Sequence, residues 1–134
     1  MSVSAEGSLQ KALFDLLSAD VALSAVITGV FDSVPESQAY PYVELGEGTA
    51  IPFDSNSSDG QEHLITIHTW TEAKGRKTAH DIMTLVYTAL HNVALVVAGH
   101  QTILCQFDFS TVLKDPDGFT HHGVQRFRVI TEDN

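Results

Sequence analysis

Seven histidines, one cysteine and seventeen acidic residues stand in a chain of 134, and each type raises its own chemistry. Histidines at the right spacing bind metal. His63 and His68 are five positions apart, so on a strand they face opposite ways and cannot share an ion. His80 and His91 are three helical turns apart, about 16 Å by helix rise. His121 and His122 are adjacent and also alternate. No pair has the i, i+4 helical spacing of a zincin or the i, i+2 spacing of a strand-borne site, so no metal site is expected. Cys105 alternates with Ile103 and Phe107, a setting in which a thiol acts as a small hydrophobe with a raised pKa. Being alone, it also excludes an internal disulfide and a cysteine-cluster metal site. No serine occupies a G-x-S-x-G elbow. Gly46-Glu47-Gly48 is no phosphate loop: it carries an acid, lacks a lysine and opens no helix. Glu44 and Glu47 read as solvated strand-edge and loop charges. No catalytic residue, cofactor or metal ligand is assigned, and the chain reads as a non-enzyme.

The remaining chemistry is ionic. Seven basic residues against seventeen acids give a formal charge of −10, which lacks the basic footprint of a duplex-DNA reader. The charge is skewed: residues 1–60 carry nine acids and one base, a net of −8, and residues 61–134 carry eight acids and six bases, a net of −2. One reading is a solvated surface that keeps the protein soluble. The other is an acidic face turned toward a partner. Arg126 and Arg128 share the outward side of the last strand and also admit two readings. Either they pair across strands with an acid such as Asp108, worth roughly 0.2–1 kcal/mol per pair, or they dock onto an acidic neighbour, such as the front half of another copy. Under the second reading the interface residues are Glu47, Asp54, Asp59, Arg126 and Arg128.

These residues need elements to position them. An apolar fraction of 43% with 18% charged residues describes a globular chain, read as one domain over 1–134. No apolar run reaches the ~18 residues of a membrane span. Met1 to Gly7 has no basic residue ahead of an apolar stretch, so no secretory signal is read there, and 1–7 is expected to be flexible. Leu9, Ala12, Leu13, Leu16 and Leu17 mark one helix face, with Ser8 as its N-cap. Asp20 is expected to cap a second, short helix through Val26. Strands are expected at Val30–Val34 and from Tyr42, entered through Tyr40-Pro41. A long acidic loop follows over 46–60, of which Thr49–Phe53 could instead extend the strand. Gln61–Thr71 is the next strand, with His63, Ile65, Ile67 and Thr69 on one face and Trp70, at its end, read as core. Arg76–His91 is the main helix, with Ala79, Ile82, Met83, Val86 and Leu90 inward and Asn92 as its stop. Thr102–Leu113 alternates, with Ile103, Cys105, Phe107 and Phe109 expected inward. Asp115-Pro116-Asp117-Gly118 is a turn, and Phe119–Thr131 returns with Phe127 and Val129 inward. The order α-α-β-β-β-α-β-β describes an α+β two-layer domain, a mainly antiparallel sheet with one long helix across it and a short N-terminal helical unit.

Three segments carry a family resemblance: Tyr40-Pro-Tyr-Val-Glu-Leu-Gly46; Glu62-His63 with Ile67-His-Thr-Trp-Thr71 and the helix ending Ala89-Leu-His91; and Asp115-Pro-Asp-Gly-Phe-Thr-His-His-Gly-Val-Gln-Arg-Phe-Arg128. With the leucine-rich first helix, these resemble the tail completion, or tail terminator, family of tailed bacteriophages and gene transfer agents, from about Leu9 to Thr131. The resemblance implies a structural virion protein without catalytic residues. Its subunits would form a ring, typically six-fold, at the neck end of the tail after assembly in the host cytoplasm. The ring would cap the tail tube and meet the head connector. The implied partners are copies of itself, the major tail tube protein and the head–tail connector or stopper, with DNA only as passing cargo and no membrane. The Asp54–Asp59 loop departs from the family pattern in length and acidity. Three alternatives stay open: a connector or stopper subunit of the same neck region, a small hydrolytic or ligand-binding domain using His63, His68 or His121, and a soluble interaction domain with no phage link. The source stays open between phage, prophage and gene transfer agent.

Overall fold

The computed structural model describes residues 4–133. Met1–Val3, part of the expected flexible segment, lie outside the described residues, and Glu6 and Gly7 already belong to the first helix, α1 (Glu6–Ala19). That helix starts earlier than Ser8. Ala5 is fully buried and its N–H donates to Gln61 Oε1 at 2.8 Å, so docking onto the sheet sets the start. The N-cap is Ala5 in place of Ser8, with no side-chain cap bond, and the preceding Ser4 Oγ accepts from the Glu6 N–H at 3.3 Å. Leu9, Ala12, Leu13 and Leu17 are buried, as their spacing requires. Asp20 caps α2 (Val21–Ser24), accepting from the Leu23 N–H at 2.9 Å. This helix stops short of Val26.

The strands are β1 (Val30–Phe31), β2 (Tyr42–Pro52), β3 (Gly60–Glu72), β4 (His100–Lys114) and β5 (Thr120–Asp133), with α3 (Lys77–Leu90) between β3 and β4. They form one sheet in the order β1-β2-β3-β5-β4. Only the β1–β2 pair is parallel. The fold is therefore α+β with a mainly antiparallel sheet, and the element order matches the one read from the sequence. β1 is shorter than Val30–Val34, because Pro35 has no N–H for a ladder and the chain bends away at Asp32 and Ser33. β2 runs on through Pro52, so the irregular part of 46–60 is confined to residues 53–59. The Tyr40-Pro41 peptide ahead of β2 is cis.

One face of the sheet carries the core. His63, Ile65, Ile67, Thr69 and Thr71 of β3 and His121, Gln125, Phe127 and Val129 of β5 are buried there. Ala79, Ile82, Met83, Val86 and Leu90 of α3 cover them, the full expected stripe. Asn92 ends the helix region with φ +60°, a left-handed conformation that asparagine tolerates. β4 departs from expectation. Bulges between Thr102 and Leu104 and between Phe107 and Phe109 each insert one residue and flip the side-chain phase. Cys105 stays buried and Phe107 packs on the core, but Ile103 and Phe109 are exposed. Burial pushes the Cys105 thiol up to about 11, so it is a packing group at neutral pH.

The β4–β5 hairpin closes as its turn chemistry dictates. Gly118 takes φ +81°, and the Asp117 carboxylate accepts from the Phe119 and Thr120 N–H groups at 2.8 Å each. Those bonds hold Asp117 below the usual carboxylate range. Gly60 is required for a different reason: a Cβ there would stand 2.6 Å from the Phe53 carbonyl oxygen and 2.7 Å from that of Thr131. Both neighbours are backbone and cannot swing aside. Two stability outcomes follow. Phe127→Ala, at the centre of the core, loses about 3–5 kcal/mol, and Gly60→Ala loses about 1–3 kcal/mol from overpacking. Urea unfolding measures both, and a loss under 1 kcal/mol for Phe127→Ala contradicts the assigned core.

Candidate functional site

The helices leave the opposite face of the sheet open, and the groups of chemical interest converge on it. Strand register builds this face in rows. Tyr42, Trp70, His122 and Leu113 form one row; Glu44, His68, Val124 and Thr111 the next; Thr66, Arg126 and Phe109 a third. Trp70, expected in the core, is half-buried here, because its position in the strand puts it on the face opposite Thr69 and Thr71. Its indole N–H donates to Glu44 Oε1 at 3.0 Å, and its ring stacks on His122 with centroids 3.8 Å apart. His122 Nε2 lies 2.6 Å from His68 Nδ1, so one proton sits between the two imidazoles. Glu47, in the β2 bulge, reaches His68 Nε2 at 3.4 Å. Gly46 makes room for this: a side chain there would collide with the His68 ring.

The charges are tuned by this packing. Burial, and then the neighbouring His68, hold His122 below its ordinary value. Burial and Tyr40 raise Tyr42. The Glu47 carboxylate is lowered by a hydrogen bond to its own backbone N–H and then by His68. On the other face, burial lowers His63, whose Nε2 lies 3.1 Å from Thr131 Oγ1. A hollow of about 140 Å³ between α1 and the sheet reaches His63, with Leu9, Leu13 and Leu45 as apolar walls. His121 is buried beside α3's face and His91 Nδ1 accepts from the Phe107 N–H at 3.1 Å. His63, His68, His91 and His122 are thus engaged in packing and hydrogen bonds, while His121 Nδ1 is buried without a partner among the described residues. Among the described residues no three His, Cys, Asp or Glu side chains are placed to hold a metal ion.

The five residues expected at an interface separate into groups. Arg128 is ion-paired with Glu62 of β3, not with Asp108, because on β4 Gln106 stands opposite it and Asp108 sits in a bulge. Arg126 lies over the Phe109 ring, 5.3 Å from its centroid, a cation–π contact. Glu47 is exposed in the β2 bulge. Asp54 and Asp59 are exposed in the loop after β2, where Asp54 accepts from the Gly60 N–H at 3.0 Å and the Asp59 carbonyl accepts from the Asp133 N–H at 2.9 Å. Glu47 and Asp54 therefore lie on the β2 side of the sheet, Asp59 beside the end of β5, and the arginines on β5, one strand in from the opposite edge. Within one chain they do not meet. The aromatic and histidine cluster escaped the sequence reading, since the partnering of His68 with His122 depends on a register between strands 50 residues apart that no local pattern encodes.

Comparison with known proteins decides the family. The model of "Tail completion protein gp17" matches residues 11–132. The chain belongs to the tail completion protein gp17 family. Its relative in Bacillus phage SPP1, tail completion protein gp17, is 30% identical over 130 residues, 97% of this chain and 96% of that protein. A chain in the virion of a native gene transfer agent particle is similar over 98% of this chain and 99% of its own, with TM-score 0.90 and 28% identity. The structure of the SPP1 gp17 protein aligns over 93% of this chain and 89% of its own, with TM-score 0.67 and 30% identity. As a tail completion protein the chain is a structural component of phage-type virions and not an enzyme.

Two histidines set a pH response, His122 in the open-face cluster and His63 on the helix side. His122 and His63 both have folded values below the ordinary 6.5, so the unfolded chain binds more protons as pH drops. Their contribution to stability is complete above about pH 6.5 and lost as pH falls from there toward the folded values. The melting temperature should fall as pH drops below about 6.5, and His122→Phe, which keeps the stack on Trp70, should flatten that fall. Superimposable profiles for both proteins over that range contradict the assignment.

Proposed function

We propose that this protein is the tail terminator of its particle: a subunit of a six-fold ring that caps the tail tube at the neck end and presents a surface to the head connector. The observation that carries this reading is the likeness, at TM-score 0.90 over nearly the whole chain, to a subunit seated in an assembled gene transfer agent virion. The fold supplies what a ring needs. Identical subunits related by rotation meet through two different surfaces, each complementary to the other. We read Glu47 and Asp54 on the β2 side and Arg126 on the β5–β4 side as these two surfaces, with Asp59 beside the end of β5 and Arg128 held by Glu62.

The partners follow from the same reading: copies of itself, the major tail tube protein below and the head–tail connector or stopper above. The whole 1–134 chain acts as one terminator-like unit, assembled in the host cytoplasm. The formal charge of −10 suits a channel through which DNA passes as cargo, because phosphate binding needs cations. Electron microscopy of tails assembled with and without the protein checks the reading. With it, tubes should end at one length with an extra ring of density; without it, they should overgrow and lack that ring. Tubes of one defined length in both preparations would instead favour a stopper acting after the tube is complete.

A further inference from the structure

The sheet has two free edges, and they differ in a way that fits one to the other. At the β4 edge, the turn after α3 covers only the middle: the Asn92 N–H donates to the Cys105 carbonyl at 2.8 Å and His91 Nδ1 accepts from the Phe107 N–H at 3.1 Å. Beyond them, Phe109–Lys114 has no outer backbone partner among the described residues. The Asp115 N–H bonds inward to the Thr120 carbonyl. The alternation of an antiparallel ladder therefore turns the main-chain groups of Ser110, Val112 and Lys114 outward. At the other edge β1 covers only Val43 and Glu44. Counting from the inward bond between the Phe53 N–H and the Gly60 carbonyl, β2 turns Ala50, and beyond its bulge Leu45, outward, while Pro52 closes the open stretch.

An edge this open is ordinarily blunted by charge, proline or a cover. Here it carries Phe109 and Leu113, 44% and 51% exposed, and the β2 edge carries Ile51, 54% exposed. The charges are complementary. Lys114 on the β4 edge, and Arg126 one strand in from it, have no carboxylate within ion-pair distance among the described residues, and the exposed Glu47 stands in the bulge of the β2 edge. Within one sheet β2 and β4 run in opposite directions. A rotation about an axis along the strands thus brings the β2 edge of a second copy alongside β4 as an antiparallel partner.

We infer that neighbouring copies join by main-chain strand pairing, Phe109–Lys114 of one copy against Leu45–Ala50 of the next, so that the sheets run on from subunit to subunit. This seam rests on the ring reading above and adds where the ring closes. Cysteines placed at Val112 or Lys114, each combined with one at Gly48 or Ala50 in a Cys105→Ser background, test it on tail tubes under oxidising conditions. At least one combination should give a ladder of covalent multimers, and each single-cysteine control should give none above a dimer. Val112→Pro, which removes an outward N–H and leaves the β4–β5 ladder intact, should melt within a few degrees of the wild type yet lose ring occupancy at least tenfold. Rings that form normally with Val112→Pro and give no ladder with any combination overturn the seam and leave the ring reading standing. Absence of rings in the wild type as well removes both.

Discussion

The structure depends on the pairing of β3 with β5, which runs without interruption from Gly60–Glu132 to Glu72–Thr120. These strands are central, buried on the helix side and far apart in sequence, so their register decides which residue faces which layer. A slip of one position would turn one of the two strands over, sending either Ile65 and Ile67 or Phe127 and Val129 to the open side. Everything else is arranged about this pair. The α1 and α3 helices lie on its apolar side, and β2 and β4 extend it in both directions. The bulges that re-aim side chains fall in β2 and β4, not in the central strands.

The same constraint explains what the sequence made legible. Local periodicity was enough for α1, α3, β3 and β5, because in each the buried stripe repeats with the period of its own element. It was enough for Asp20 and for the Asp115–Gly118 turn, where side-chain chemistry acts within three residues. It failed where tertiary contacts override local pattern. Ala5 rather than Ser8 starts α1 because Gln61 reaches across to it. Ile103 and Phe109 leave the core because bulges break the alternation. Strand β2 persists through Gly46 and Gly48 because β3 supplies a partner for residues whose own propensity is poor. The chemistry of the open face was hidden for the same reason: Glu44, His68, Trp70 and His122 come from three strands and are neighbours only through register.

Much of the chain's side-chain chemistry is committed to internal contacts. Its histidines share a proton, stack on an indole or accept from the backbone, and its one thiol is buried. What is left uncommitted is surface: an acidic β2 end, unpartnered cations near β4, and free main-chain groups at both edges. These are the features on which the proposed ring draws. A shared family with SPP1 tail completion protein gp17 and the shape of a subunit in a gene transfer agent virion agree with that division.

The central claim is that the protein works by fitting copies of itself onto a cylindrical scaffold. Native mass spectrometry of the purified protein, alone and after mixing with assembled tail-tube subunits, addresses it most directly. The account predicts a new species on mixing that contains this chain in a fixed multiple together with tube protein, whatever the state of the chain alone. A chain that stays monomeric and unbound across the full range of tube concentrations would contradict it.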